Sequence, residues 1–238
     1  SGNFGEIRSN HFHGGLDFKT GGTIGKPVRA LADGYISRIR VTNGSGYVLD
    51  VCYHNGYSTI NRHLSAFLSP IAERVKKLQY ENENWEIEII PEPDEYPVKA
   101  GQRIALSGNT GYSFGPHLHL DVFETETGDY IDPMPFFKKN LKDTRAPKAD
   151  GIMLFPQLGK GVVSGSQENK TILPNSEHPV EAWGVIGTGI KAYDYMDGVN
   201  NHYGVYSVVL TVDGAEVFRS TVDRFSQEEN RMINSWTY

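Results

Sequence analysis

The chain has 238 residues, of which 38% are hydrophobic and 22% are charged, and its formal net charge is −6 at pH 7. This is ordinary globular composition, ample for one hydrophobic core and for a second, smaller one. The acidic balance and the lack of a dense Lys/Arg cluster argue against nucleic acid as a partner.

Features that would place the chain in a cell compartment are scarce. No apolar run approaches the roughly 18–20 residues that a helix needs to cross a bilayer. Cys52 is the only cysteine, so no disulfide can form within the chain. The amino terminus lacks the basic and apolar segments of a signal peptide. We expect no transmembrane segment and no signal peptide in this chain, and we leave open a membrane anchor outside it.

The first motif is the run His13-Gly-Gly-Leu-Asp17. Its two glycines argue against a helix, so we predict a tight turn that enters a strand near Leu16 and Phe18. His and Asp are candidate metal ligands. A catalytic zinc takes three ligands from His, Asp or Glu and keeps a fourth position for water.

Short apolar runs alternate with turns between residues 27 and 64. Asn-Gly turns between such runs predict hairpins, and therefore an antiparallel sheet. The predicted strands are Pro27–Leu31, Tyr35–Val41, Tyr47–Tyr53 and Tyr57–Leu64. In the last strand Tyr57, Thr59, Asn61 and His63 alternate, so we expect them on one polar face that lines a groove.

Residues 66–95 are predicted to be an insertion between two parts of the sheet. Apolar residues recur at helical spacing after Ser69, a candidate cap, and Pro70, which suits a first helical position, so we predict a helix over residues 70–80. Outside this helix, Lys26–Ala30 and Tyr96–Ala100 share a short pattern, which predicts a duplicated half-motif.

The second motif is the run His117-Leu-His-Leu-Asp-Val122. Polar and apolar residues alternate in it with period two, which predicts a half-buried strand with His117, His119 and Asp121 on one face. The two histidines would lie roughly 6.5–7 Å apart along the strand. Both can approach one metal, yet one can be a ligand while the other sits beside the metal's water.

The carboxyl-terminal part has its own pattern. Residues 138–148 are charged and poor in apolar side chains, which predicts a linker. Residues 149–238 contain short strands and a well-marked Asp-Gly hairpin at 213–214, which predict a β-sandwich domain. The run at 226–229 resembles a helix capping box. No closing strand is obvious before the end of the chain, so we leave open whether the sandwich is complete.

Three stretches of the chain together resemble the lysostaphin-type (LytM-like) zinc metallopeptidases, over about residues 4–137. These stretches are Phe12-His-Gly-Gly-Leu-Asp-Phe18, Arg62-His-Leu64 and Gly108-Asn-Thr-Gly-Tyr-Ser-Phe-Gly-Pro-His-Leu-His119. That family cuts cross-links or stem peptides of bacterial peptidoglycan. The resemblance implies a mainly β chain, with a peptidase domain over residues 1–137 and an Ig-like β-sandwich after it. It also implies an exported protein of the periplasm, cell envelope or extracellular space.

The resemblance assigns roles to individual side chains. His13, Asp17 and His119 would hold Zn²⁺, while His117 and His63 would be catalytic, on either side of the metal's water. The expected activity is that of a zinc-dependent endopeptidase acting on peptidoglycan or its peptides. The bond that is cut and the division of labour between the two catalytic histidines stay open.

The chain departs from the family pattern at several positions. Asn61 stands where many relatives have Tyr, which puts the groove wall in doubt, and Arg62 is bulkier than the small residue often found there. Tyr112 and Phe114 lie in the loop before His117. They would either form a substrate subsite or pack the glycine-rich loop.

Two other functions compete with hydrolysis. A non-catalytic domain of the same fold, which binds the cell wall or activates amidases, would not need the metal ligands. A phosphocarrier of related fold would relay phosphate between two histidines, but the Asp17 carboxylate beside His13 would repel phosphate.

Overall fold

The computed structural model describes residues 2–237, so the outermost residues of the predicted domains, Ser1 and Tyr238, lie outside it. The chain divides into two compact units. The first contains the residues up to Phe137 together with Asp223–Met232, and the second contains Lys138–Val222 and the residues from Ile233. Both consist mainly of antiparallel strands, as predicted. Within residues 2–237, no helix is both long and apolar enough to cross a bilayer.

A nine-stranded sheet is the main layer of the first unit. Its strands are β1 (Gly15–Lys19), β3 (Gly34–Thr42), β4 (Gly46–Tyr53), β5 (Tyr57–Leu64), β7 (Ile87–Ile89), β8 (Pro97–Val98), β10 (His117–Glu124), β11 (Tyr130–Ile131) and β17 (Arg224–Phe225). The main order is β17-β11-β10-β5-β4-β3-β7, and β1 also pairs with β10. A second sheet, in the order β2-β9-β6, is formed by β2 (Pro27–Arg29), β6 (Ala66–Phe67) and β9 (Arg103–Leu106).

The core of the first unit consists of apolar residues from both sheets and from the helix α1 (Ile71–Glu81). Ile39, Leu49 and Leu64 of the large sheet are fully buried in it. The helix confirms the predicted helix in the insertion, but the cap is different. Ser69 Oγ donates to Glu73 Oε1 over 2.6 Å, and α1 has no side-chain hydrogen bond at its N-cap.

The segment Asp223–Met232 lies in the first unit, although the sequence groups it with the second domain. Its Phe225 is 6% exposed and stacks on Phe4 with ring centroids 4.5 Å apart. The predicted capping box is present. Ser226 Oγ accepts from the backbone N–H of Glu229 (3.2 Å), and the Glu229 carboxylate accepts from the N–H of Ser226 (2.8 Å).

We expect Phe225→Ala to lower the free energy of unfolding by about 3–5 kcal/mol, because it removes a buried aromatic ring from an aromatic cluster. Urea unfolding of the intact chain measures this. Phe114→Ala is the matched control, since its ring is 94% exposed. It should change stability by about 0.5 kcal/mol or less. Equal effects of the two variants would show that the segment does not pack against the first unit.

The second unit contains a sheet in the order β13-β12-β14 and a separate ribbon, β15-β16. The strands are β12 (Lys148–Val163), β13 (Lys170–Ile172), β14 (Ala182–Tyr193), β15 (Ser207–Val212) and β16 (Ala215–Thr221). The turn at Asp213 and Gly214 has positive φ at both residues (51° and 81°), which confirms the predicted hairpin. An Ig-like β-sandwich is not confirmed. Few apolar side chains of this unit are buried, among them Val163 and Tyr203.

Candidate metal centre

Three of the predicted site residues meet at the paired strands β1 and β10. Asp17 lies directly opposite His119 in the register of these strands, and His13 precedes β1. His13 Nε2 lies 3.1 Å from Asp17 Oδ1 and 3.0 Å from His119 Nδ1, and His119 Nδ1 lies 2.9 Å from Asp17 Oδ1. The structure therefore brings His13, Asp17 and His119 together as one group of candidate metal ligands.

Hydrogen bonds orient both rings of this group. His13 Nδ1 donates to the carbonyl oxygen of Asn3 (2.7 Å), and His119 Nε2 donates to Asp121 Oδ1 (2.6 Å). In the neutral rings, His13 Nε2 and His119 Nδ1 are then unprotonated. Both lone pairs point at the Asp17 carboxylate, and such a cluster of acceptors calls for a cation.

The spacing of these three atoms fits zinc. Ligand atoms about 2.0–2.2 Å from a tetrahedral zinc lie roughly 3.3–3.6 Å from one another. The observed separations of 2.9–3.1 Å are close to that value, so a small outward shift would admit the ion. The nitrogen and carboxylate donors are those of catalytic zinc sites.

The surroundings of the three candidate ligands shift the pKa values of Asp17 and His119. Burial raises the pKa of Asp17, but hydrogen bonds from His119 and His13 outweigh it and hold that pKa far below its usual range. Burial likewise opposes the charged form of His119, but the Asp121 and Asp17 carboxylates raise its pKa to about 9. In the metal-free protein His119 is thus protonated at neutral pH, and metal binding must release this proton.

Asp121 and Arg62 hold the His119 ring in place through hydrogen bonds that start at its Nε2 atom. Asp121 is 2% exposed, and its second oxygen accepts from Arg62 Nε over 2.9 Å. Arg62 also donates to Ser45 Oγ (3.1 Å). The bulk of Arg62 thus has a structural reason: it neutralises and fixes the carboxylate that holds the His119 ring. The period-two alternation predicts Asp121 on this face, but nothing in the sequence gives it a role.

We expect Asp121→Asn to weaken zinc binding by about 10–100-fold, because the amide no longer fixes and polarises the His119 ring as the carboxylate does. Competition with a chromogenic chelator measures the affinity. Asp50→Asn is the control, because Asp50 is also a buried carboxylate paired with an arginine, Arg40, at 2.7 Å. Similar zinc affinities in the two variants would contradict the supporting role of Asp121.

His63 does not share a face of β5 with Thr59 and Asn61, although the alternation predicts that it does. Thr59 and Asn61, its neighbours in the alternation, are buried on the face of β5 that packs with Leu120 and Val122. The prediction that these residues share one groove-lining face is therefore wrong. His63 has φ of 60°, in the left-handed region that side chains other than glycine rarely adopt. This breaks the alternation and brings its ring to 4.9 Å from that of His117.

Asn61 does not form a wall of the groove. It is 2% exposed, and its side-chain amide donates to the carbonyl oxygen of Leu49 over 3.2 Å. Asn61 therefore lies in the interior of the sheet.

His63 and His117 flank the three ligands without joining them. His63 Nδ1 donates to the carbonyl oxygen of Thr110 (2.9 Å), and His117 Nδ1 donates to that of Gly115 (2.8 Å). In the neutral form of each ring, Nε2 is then unprotonated. His117 Nε2 lies 3.7 Å from Asp17 Oδ1, beside the ligand group. Burial lowers the pKa of His63 to about 4, so the ring is neutral at neutral pH.

No model of a protein family matches the chain. The glycyl-glycine endopeptidase ALE-1 of Staphylococcus capitis is 35% identical over 135 residues, which are 54% of this chain and 29% of the relative. The peptidoglycan DD-endopeptidase ShyB of Vibrio cholerae is 36% identical over 110 residues, 46% of this chain and 20% of the relative.

Among solved structures, the catalytic domain of the antimicrobial peptidase lysostaphin from Staphylococcus simulans is 30% identical, with a TM-score of 0.41. The match covers 58% of this chain and 90% of that domain. The chain spans less than a third of the length of the two curated relatives.

Proposed function

The chain belongs to the lysostaphin-type family of metallopeptidases, and from this premise we propose that it is a zinc-dependent endopeptidase of bacterial peptidoglycan. Its substrates are the peptide cross-links or stem peptides of the cell wall. One observation carries the proposal: His13, Asp17 and His119 present three converging acceptor atoms, and the rings of two further histidines, His63 and His117, lie near them.

The division of roles follows from the protonation of each ring. Zinc, when bound by His13, Asp17 and His119, would supply a Lewis acid and lower the pKa of water towards neutrality. The unprotonated Nε2 atoms of His63 and His117 accept the proton of the attacking water and deliver one to the leaving amine. The ring that carries the proton donates a hydrogen bond to the developing oxyanion.

The backbone carbonyls of Thr110 and Gly115 hold these two rings in position. Because each carbonyl accepts from Nδ1, proton exchange is confined to Nε2 of each ring. The low pKa of His63 keeps its ring neutral at neutral pH. A non-catalytic wall-binding domain would have no need for this arrangement.

Peptidoglycan lies outside the cytoplasmic membrane, so the protein works in the cell envelope or beyond it. The named relatives act on different bonds, a glycyl-glycine bond for ALE-1 and a DD-peptide bond for ShyB. Both the glycyl-glycine bond and the DD-peptide bond are therefore candidates for the bond that this protein cuts.

Digestion of purified, chemically typed peptidoglycan tests the proposal. One preparation should contain glycine bridges and the other direct cross-links, and mass analysis of the released fragments identifies the bond that is cut. We expect hydrolysis of at least one preparation, loss of it with a chelator, and recovery when zinc is added back. Identical fragments with and without chelator would contradict the metal mechanism, and no fragments from the zinc-loaded protein would contradict the activity.

A further inference from the structure

Two exposed aromatic rings lie on the loop whose carbonyl groups orient the proposed catalytic histidines. Tyr112 is 75% exposed and Phe114 is 94% exposed, and their ring centroids lie 5.2 Å apart in an edge-to-face arrangement. Aromatic rings of this size are normally buried, and exposed apolar surface next to a site often binds a ligand. Packing of the glycine-rich loop, the other prediction for these rings, does not account for such exposure.

The loop that carries the rings, residues 108–116, is fixed to the fold. The backbone N–H of Tyr112 donates to the carbonyl oxygen of Gly44 (2.7 Å), and Thr110 Oγ1 donates to that of Leu64 (2.7 Å). A Cβ atom at Gly111 would lie 2.3 Å from the backbone nitrogen of Gly46. The loop thus packs directly on the neighbouring turn, and these contacts hold the backbone that carries the two rings in place.

The same loop orients both catalytic histidines. Thr110, two residues before Tyr112, accepts the hydrogen bond from His63, and Gly115, directly after Phe114, accepts the one from His117. Ser113, between the two rings, lies 3.2 Å from His117 Nδ1. A molecule resting on the rings is therefore held at the rim of the candidate catalytic site.

The chemistry of the loop points to a sugar. Residues 108–116 contain no Asp, Glu, Lys or Arg, so the loop has no charge to pair with the charged side chains of wall peptides. It offers two flat rings, the Tyr112 hydroxyl and the exposed Asn109 amide. A sugar ring has a flat face of C–H groups, which stacks on aromatic rings, and an edge of hydroxyls, which bond to hydroxyl and amide groups.

We propose that Tyr112 and Phe114 form a glycan platform, which holds a sugar ring of the peptidoglycan strand next to the peptide bond that is cut. This inference rests on the proposed function. It implies that the enzyme favours peptides still attached to glycan over the same peptides set free.

Two substrates with the same scissile peptide test the platform: a cross-linked peptide carrying its disaccharide, and that peptide after an amidase has removed the sugar. The measured quantity is the ratio of kcat/KM on the two substrates. We expect Phe114→Ala and Tyr112→Ala each to lower this ratio by about 3- to 10-fold. Tyr80→Ala, at a tyrosine 76% exposed on α1, should keep the wild-type ratio.

Other outcomes overturn the platform. An unchanged ratio in both loop variants would show that the rings do not bind sugar, even if both substrates are cut more slowly. If the wild-type protein cuts neither substrate, the proposed function fails, and the platform is then tested alone by calorimetric titration with soluble, peptide-free glycan strands. Loss of binding in the double variant would support the platform, and equal or absent binding in both proteins would contradict it.

Discussion

Replacing His119 by alanine will yield a protein without bound zinc and without hydrolytic activity. His119 Nδ1 is one of three converging acceptors, and two ligands hold a divalent ion far less tightly than three. The loss of affinity should exceed the roughly 10–100-fold effect expected for an outer partner such as Asp121. Metal analysis after dialysis and hydrolysis of peptidoglycan measure the two effects.

Two further variants control this experiment. His54→Ala removes an exposed histidine outside the ligand group, so it should keep both zinc and activity. Asp17→Asn keeps the volume of a ligand while removing its charge, and it should also lose both zinc and activity. It replaces His119→Ala as the test if His119→Ala folds poorly. Hydrolysis by a folded, metal-free His119→Ala protein would refute the zinc mechanism.

Replacing either His63 or His117 by alanine will leave zinc in place and lower kcat by about 10²–10⁴-fold. Neither ring belongs to the ligand group, and each holds its Nδ1 on a carbonyl oxygen, so its loss removes a proton acceptor or a hydrogen-bond donor rather than a ligand. Metal content and kcat, measured on the same preparation, separate the two effects. A variant that loses zinc together with activity would show that its ring is a ligand.

Glutamine variants can assign the two roles. A glutamine amide donates a hydrogen bond but cannot accept a proton as a base. At the ring that only stabilises the oxyanion, glutamine should recover part of the rate lost with alanine. At the ring that acts as the base, His63→Gln or His117→Gln should be as slow as the alanine variant.

Much of the ligand group could be predicted from the sequence. The alternation around His119 identifies a strand and its polar face, and the two-glycine turn after His13 leads into its partner strand. Antiparallel pairing then places Asp17 directly opposite His119. Local patterns suffice here because the side-chain direction along a strand follows its period of two.

The position of His63 could not be predicted in this way. A single residue with φ of 60° reverses the alternation, and no residue type in Asn61-Arg-His63 signals it. The carbonyl groups of Asn3, Thr110 and Gly115 also have no sequence signature, because every residue carries one. Only the folded chain shows that these atoms set the protonation of the three rings.

The sequence predicts less of the structure of the carboxyl-terminal part. The capping box at 226–229 and the hairpin at 213–214 are local, and both are present. The pairing of Phe225 with Phe4 joins residues at opposite ends of the chain, and no local pattern reports such a contact. How the short strands assemble is likewise decided by packing, so the sandwich stays a prediction.

His13, Asp17 and His119 together should hold one zinc ion. Anomalous diffraction at the zinc absorption edge, from crystals grown with zinc, locates the ion and its ligands. We predict one peak bonded by His13 Nε2, Asp17 Oδ1 and His119 Nδ1, with His63 and His117 outside bonding distance. No peak between these three atoms, or a peak that takes His63 or His117 in place of one of them, would contradict the account.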